Sequence, residues 1–519
     1  MKYCVFSENE WIYPDSALSG QAKASLFIPR RADACFQILT DEELCAPTPV
    51  RVSFTSNALR ATVYQLHLAH VGENSALTYH TTTDYESVAH FVTRKAPFDV
   101  FEMTRPLEDG MLRAGRLALY VRIDVPADAT QGCFDETLTV TVGEQVLSVP
   151  IGIKVYNTCI PTLHDASFHM VNWIYYKRIE NVHGVTPKTE EYGRILRAYL
   201  ENQLDMRNDY LMLPSGEPIY DENGRVTDFD FSHAAYVGNL ALSMGFEKIM
   251  GGFCMRFVKW DKPLTTLLWD RTLDVTSQEG YRQLSLYFRR AWECVKENGW
   301  EAQYYQCIED EPQFKNSIEY RVVAAICRKH MPGVLIHDPV ESTELGGGPD
   351  VWVVKQKTFE QYLDVYRALM DMGEEMWIYT CGFPAGATMN RIIDLPLSAS
   401  LLPMWMCYKY GAKGFLHWGY HVHGPELEKE TCCPAGEGKR YPAGNSFVVY
   451  PTENAPWYGV RGHLQRIGAY DYELLTMAGK KDPAWTLAAV ERLCRSFDDY
   501  TADASLIARV RRELLEFLG

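Results

Sequence analysis

From about residue 165 the chain repeats one pattern eight times: a short apolar run followed by a longer stretch with helical or loop character. Alternation of this kind builds βα units on a parallel sheet. The runs are Ser167-Phe168-His169-Met170-Val171, Tyr210-Leu211-Met212-Leu213-Pro214, Lys248-Ile249-Met250-Gly251-Gly252-Phe253 and Ala302-Gln303-Tyr304-Tyr305-Gln306-Cys307-Ile308. They continue with Val334-Leu335-Ile336-His337-Asp338, Val351-Trp352-Val353-Val354, Met376-Trp377-Ile378-Tyr379-Thr380 and Gly414-Phe415-Leu416-His417-Trp418. Eight such units over ~300 residues have the size of a TIM barrel. Among the connecting helices, Tyr281, Leu284, Phe288, Trp292 and Val295 share one face, and Asn298-Gly299 ends that helix. The fifth crossover, about 340 to 350, holds Gly346-Gly347-Gly348 and is too short for a normal helix.

The region before these units has a different period. Leu117 to Val125, Glu136 to Val142 and Val146 to Val155 alternate apolar and polar residues, with Gly143-Glu144 as a hairpin turn. Period-two alternation with β-branched residues and short turns predicts a β-sandwich. The expected architecture is therefore multidomain, β followed by α/β. It comprises an N-terminal β-sandwich over 1–160, a (β/α)8 TIM-barrel catalytic domain over 161–480, and a C-terminal helical segment over 481–519.

Charge narrows the partners. The 519 residues carry a formal net charge of −16, which repels a polyanion unless a dense basic patch overrides it. No Lys/Arg run of that density is present, so nucleic acid is not expected and a neutral substrate fits better, the class to which a small glycoside or oligosaccharide belongs. No apolar run reaches the ~18 to 20 residues of a membrane helix. The first ten residues go straight into polar side chains, without the apolar stretch of a signal peptide, so the expected location is cytoplasmic and no membrane partner is expected. Self-association into a homo-oligomer stays open. The 14 cysteines are scattered and form no CxxC pair, which reads as reduced thiols. Cys432-Cys433, with His417, His421 and His423 nearby, matches no metal-ligand spacing, so neither a metal nor a cofactor is expected.

In a TIM barrel the reacting groups stand at the C-terminal ends of the strands. The fourth run ends in Ile308-Glu309-Asp310-Glu311-Pro312. Pro312 should hold Glu311 in an extended conformation. Adjacent carboxylates Asp310 and Glu311 can converge on one ligand past the last ladder bond, where mutual repulsion pushes one proton affinity up. That division into a proton donor and an ionised partner suits glycoside cleavage. An acidic turn capping the next helix would carry the same residues. Other strand ends favour the catalytic reading. Asn172, Trp173, Tyr175, Arg207, Asn208, Asp338, Trp377, Tyr379, His417 and Trp418 lie at or beside them. Trp and Tyr suit the C–H faces of sugar rings, while Asn, Asp, Arg and His suit the hydroxyls. Asp310, Glu311, Trp173, Tyr379 and Trp418 are expected to line one pocket at the C-terminal mouth.

Several ordered motifs resemble glycoside hydrolase family 123. They are Asp310-Glu311-Pro312, Trp352-Val353-Val354 after Asp350, Trp377-Ile378-Tyr379-Thr380-Cys381, Trp405 with Lys409-Tyr410-Gly411, and Gly414-Phe415-Leu416-His417-Trp418-Gly419. Val449-Tyr450-Pro451 and Arg461 with Asp471-Tyr472-Glu473 follow, and the stretch from Tyr120 to Tyr156 looks like that family's β-sandwich. The resemblance implies an exo-acting, retaining β-N-acetylgalactosaminidase using substrate-assisted catalysis through an oxazolinium intermediate. By that resemblance Asp310 orients the substrate's acetamido N–H, and Glu311 protonates the leaving oxygen and then activates water. Two other readings compete. One is a retaining glycosidase with a protein nucleophile such as Asp338; the other is a non-catalytic carbohydrate-binding protein.

Overall fold

A computed structural model describes residues 1–519 except 108, 258–263, 425, 426 and 428. The chain forms two compact units. The first takes in Met1–Phe168, Cys381–Tyr410 and Gly419–Gly519; the second takes in His169–Thr380 and Gly411–Trp418.

The first unit is rich in sheet. A seven-stranded sheet runs in the order Tyr3–Ser7, Ala32–Leu44, Gly115–Val125, Arg60–Val71, Phe98–Pro106, Trp457–Gly459 and Val449–Tyr450. A five-stranded sheet runs Ala24–Arg30, Gln145–Cys159, Gly132–Val142, Thr48–Phe54 and Met111–Leu112. The expected hairpin is there, with Val142 opposite Gln145 and Gly143 at φ +57 in the turn. Along Gln145–Cys159 the alternate residues Leu147, Val149, Ile151, Ile153 and Val155 are buried, as period-two patterning requires.

Both compact units are discontinuous along the chain. Trp457–Gly459 pairs with Phe98–Pro106, so the C-terminal region adds strands to the N-terminal seven-stranded sheet. The helix Val460–Lys481 that follows is buried along most of its length, charges included. Arg461 Nε donates to Glu102 Oε1 at 2.7 Å, and Arg466 reaches both oxygens of Asp33 at 2.8 Å. Asp471 accepts from Trp405 Nε1 at 3.0 Å and from Arg511 Nε at 2.9 Å. The Glu102 and Asp33 pairs join the helix to sequence more than 350 residues earlier.

The second unit is a nearly closed barrel of eight parallel strands: His169–Asn172, Tyr210–Met212, Lys248–Gly251, Tyr304–Gln306, Leu335–Val340, Val351–Lys355, Glu375–Thr380 and Gly414–His417. We number them one to eight in that order. The ladder runs from strand one through eight, seven, six, five, four and three to strand two. Strands one and two meet through Asp209, whose N–H donates to Met170 O at 3.2 Å and whose Oδ1 accepts from Met170 N at 3.0 Å. Helices Tyr176–His183 and Glu190–Asp205, Ser232–Met244, Gln278–Asn298, Ser317–His330, and Gln356–Gln361 with Leu363–Asp371 fill crossovers. None stands between strands five and six, where the glycine run lies. Gln278–Asn298 starts on a Ser277 cap and ends on left-handed Gly299 (φ 70). Of its expected apolar face, Leu284, Phe288 and Val295 are buried, whereas Tyr281 is exposed and its hydroxyl accepts from Lys329.

Aromatic rings fill the barrel floor. Trp377 stacks on His169 at 6.1 Å and meets Tyr210 at 4.9 Å and His337 at 4.7 Å edge-on. Gly414 makes this possible: a Cβ there would lie 2.2 Å from the Trp377 ring. No described helix is long and apolar enough to cross a membrane.

Candidate active site

Strand four stops at Gln306, but its continuation is held rigidly. Ile308 N donates to both oxygens of Asp338 at 2.9 and 3.0 Å, and Ile308 O accepts from Cys254 N and Met255 N at 3.1 and 3.2 Å. Glu309 then turns into the fold. It is fully buried, its Oε2 accepts from Asn316 Nδ2 at 2.7 Å, and burial raises its proton affinity well above the carboxylate range. Asp310 and Glu311 come next, half-buried.

Glu311 is not extended. Its φ is +56, in the left-handed region that non-glycine residues avoid. Pro312 does disfavour the right-handed helical region, but tertiary hydrogen bonds select the conformation. Glu311 N donates to Pro339 O at 3.1 Å, and Glu341 N donates to Pro312 O at 3.0 Å, so the loop is zipped to the end of strand five. This turn carries the Glu311 carboxylate to strands six and seven. Tyr379 donates its hydroxyl to Glu311 Oε1, and Lys355 Nζ pairs with the same oxygen at 2.9 Å. Lys355 also pairs with Glu341 Oε1, while Gln313 Nε2 donates to Glu341 Oε2 at 3.0 Å.

Burial first, and then the charge of Glu311, push Asp310 up to about 8; the positive charges of Lys355 and Arg256 oppose that rise. At neutral pH Asp310 therefore keeps a proton while its neighbour faces a cation. One protonated and one ion-paired carboxyl on adjacent residues can exchange roles during a proton transfer.

Strand ends place several expected residues on the same C-terminal face. Tyr379 sits in strand seven beside Lys355 of strand six, and His417 ends strand eight beside Thr380 and Asn172. Trp418 follows His417, half-buried and stacked on it at 6.3 Å. Trp173 donates its backbone N–H to His417 O at 3.1 Å, and its buried indole N–H has no hydrogen-bond partner among the described residues. Tyr175, half-buried, caps the helix Tyr176–His183.

Others are engaged elsewhere. Arg207 and Asn208 precede strand two, at its entry and not its exit. Asn208 Oδ1 accepts from Asn172 Nδ2 at 2.9 Å, with both residues buried. Asp338 has its oxygens taken by Ile308 N and by the Tyr320 hydroxyl (2.7 Å). Trp377 belongs to the barrel floor, and its Nε1 donates to Glu375 at 2.7 Å. We expect Trp377→Ala to cost about 3–5 kcal/mol of stability, the usual range for a buried large aromatic. In thermal unfolding the midpoint should fall, while KM of the surviving folded enzyme stays near wild type. A large rise in KM would return Trp377 to the sugar site.

Glu341 and Lys355 were not among the expected residues. A signal existed, since Lys355 closes the apolar run Val351 to Val354 and Glu341 directly follows strand five. Among the described residues no group of three or more His, Cys, Asp or Glu is arranged to hold a metal. Cys432 and Cys433 are buried free thiols. Their Sγ atoms contact Glu73 O at 3.5 Å and Thr431 O at 3.7 Å.

Comparison with known proteins makes this barrel that of a glycoside hydrolase: residues 173–478, more than half of the chain, match the family model "Glycoside hydrolase 123, catalytic domain". The chain belongs to glycoside hydrolase family 123. Among solved structures, a family 123 glycoside hydrolase from Clostridium perfringens, described as hydrolysing glycolipid glycans, is similar over 99% of this chain and 97% of its own, with TM-score 0.75 and 13% identity. At that identity the likeness establishes the fold. An endo-β-1,4-mannanase from Thermotoga petrophila matches 60% of this chain and 78% of its own at TM-score 0.38 and 11% identity. Comparison with curated protein sequences finds no match.

Proposed function

We propose that this glycoside hydrolase is a retaining exo-enzyme that releases terminal β-linked N-acetylgalactosamine by substrate-assisted catalysis. The observation that carries the reading is the placement of the adjacent pair Asp310 and Glu311 just past barrel strand four, with Glu311 held by Lys355 and Tyr379. Two carboxyls on neighbouring residues suit a mechanism in which the substrate supplies the nucleophile, an exception to the usual paired-carboxylate spacing. The acetamido oxygen attacks the anomeric carbon as the glycosidic bond breaks, and Glu311 protonates the departing oxygen. Asp310 accepts the acetamido N–H and faces the positive oxazolinium. Glu311, now a carboxylate, takes a proton from water as that water opens the ring. Attack twice on the anomeric carbon returns the β configuration. Engagement of both Asp338 oxygens weighs against that residue as a protein nucleophile. The glycolipid glycans named for the Clostridium perfringens relative support a glycan of that class as the natural substrate.

Nitrophenyl glycosides test this directly. We expect turnover of the N-acetyl-β-galactosaminide, with the β-anomer as first product by NMR, and none of the β-galactoside lacking the acetamido group. Comparable turnover of both would leave the substrate-assisted mechanism without support and favour a protein nucleophile.

A further inference from the structure

Lys355 is a cation between two anions. Its Nζ pairs with Glu311 Oε1 at 2.9 Å and with Glu341 Oε1, and its side chain is only 7% exposed. The ammonium also lies 5.6 Å from the centre of the Tyr379 ring. Glu341 is a fixed partner, because Gln313 Nε2 donates to its other oxygen at 3.0 Å and its own N–H donates to Pro312 O at 3.0 Å. Glu311 is the exchangeable one, since its task is to meet substrate. Charged and titratable groups face this centre from every side. Asp310 and Glu311 come from the loop after strand four, near the buried Glu309 and Asp338, and Arg256 from the short strand Met255–Phe257 that follows strand three. Glu341 comes from the end of strand five, Lys355 from strand six and Tyr379 from strand seven.

We propose that Lys355 decides which of the two adjacent carboxyls holds their shared proton, pairing with both Glu311 and Glu341 in the free enzyme and keeping Glu341 when the glycosidic oxygen reaches Glu311. The inference rests on the reading of Asp310 and Glu311 as the catalytic pair. It resolves a mismatch in the free enzyme. The Lys355 cation stands beside Glu311 and so favours the charge there and the shared proton on Asp310, whereas the reaction needs the proton on Glu311 and the charge on Asp310. One proton moves from Asp310 to Glu311, and one negative charge moves the opposite way. Lys355 loses its anion at Glu311 and keeps Glu341, so no bare cation is left in a buried position. Asp310, now ionised, accepts the acetamido N–H. As the C1–O bond breaks, its electron pair goes to the leaving oxygen, which takes the proton from Glu311. The new Glu311 carboxylate pairs again with Lys355 and is ready to act as a base. Lys355 is thus a positioning residue that acts through Glu311.

Two variants should move the pH profile in opposite directions. The alkaline limb of kcat/KM reports loss of the shared proton. Lys355→Met removes a positive charge that favours the deprotonated pair, so the limb should move upward by about one pH unit. Glu341→Gln removes a negative charge from beside Lys355, so the limb should move downward. Lys355→Arg keeps the charge and should leave the limb near its wild-type position. A lysine that only packs the barrel would lower the rate without moving the limb, and that result, or shifts of the same sign in both variants, overturns the proposal. Should Lys355→Met fail to fold, Glu341→Gln still carries the test. A substrate-free readout separates this inference from the sugar assignment. In infrared difference titration of wild type against Asp310→Asn, a carboxyl band should disappear near pH 8 and shift as the limb does. If the band shifts as expected but no N-acetyl-β-galactosaminide is cleaved, the sugar assignment falls and the role of Lys355 stands. If the sugar is cleaved and neither limb nor band moves, the role of Lys355 falls alone.

Discussion

Asp310→Asn should lower kcat/KM on N-acetyl-β-galactosaminides by about 10²- to 10⁴-fold whatever the leaving group, because the acetamido group takes part in every turnover. The amide keeps the shape of Asp310 but cannot carry the negative charge that faces the oxazolinium. Glu311→Gln should behave differently. Its first task is to protonate the leaving oxygen, which a nitrophenolate does not need. Its first step should be partly spared on a nitrophenyl glycoside and lost by about 10²- to 10⁴-fold on a glycoside with an alkyl aglycone. The measurement compares both variants on good and poor leaving groups, with burst kinetics to separate the two steps. Near-normal rates for Asp310→Asn on both substrates would end the substrate-assisted reading. Glu311→Gln also removes the anion facing Lys355 and Tyr379, so its fold should be checked by circular dichroism before its kinetics are read.

The second large effect concerns stability. Asp33 and Arg466 are both fully buried and bonded through two parallel contacts of 2.8 Å, and the Tyr470 hydroxyl donates to Asp33 at 3.1 Å. Replacing Arg466 by Met leaves the carboxylate buried without its main partner, which costs about 3–5 kcal/mol. Asp33→Leu combined with Arg466→Met should recover much of that loss, since an apolar pair avoids desolvating two charges. Thermal unfolding of the single and double variants reads the difference. If the double variant were as unstable as the single one, packing and not the unpaired charge would be the cause. The pair also has a pH signature. Burial alone would raise Asp33, but Arg466 and Arg122 outweigh it and hold the carboxyl well below the usual range. A depressed folded-state value contributes stability above the unfolded value, roughly 3.9. That contribution is lost as pH falls through the folded value. Wild type should therefore resist mild acid and lose this increment only in strong acid, whereas the double variant has no such increment to lose.

Local sequence determined the parts that depend on near neighbours. Alternation from Gln145 to Cys159 decides a strand because successive side chains leave opposite faces, and Gly143 decides the turn because it accepts a positive φ. The eight apolar runs fall on the eight barrel strands within a few residues, and the short crossover at the glycine run is without a helix. Asp310 and Glu311 were legible because they are bonded neighbours at a strand end, so no long-range register has to be known to bring them together.

The rest waited on register and closure. Lys355 reaches both Glu311 and Glu341 only because strands five and six pair with Val340 beside Val354, a fact spread over more than forty residues of chain. Trp377 and Tyr379 are two residues apart on one strand and read alike in sequence. Barrel closure sends Trp377 to the floor, where Gly414 leaves it room, and sends Tyr379 to Glu311. Asp338 looked available until Ile308 and Tyr320 took both its oxygens. The helix from Val460 reads as charged, yet it is buried, because carboxylates of Glu102 and Asp33 far back in the chain neutralise Arg461 and Arg466. Periodicity carries which face of an element is apolar. It does not carry which distant partner meets that face, and in this protein the contacts of Glu311 with Lys355 and Tyr379, and the engagement of Asp338 and Trp377 elsewhere, were of that second kind.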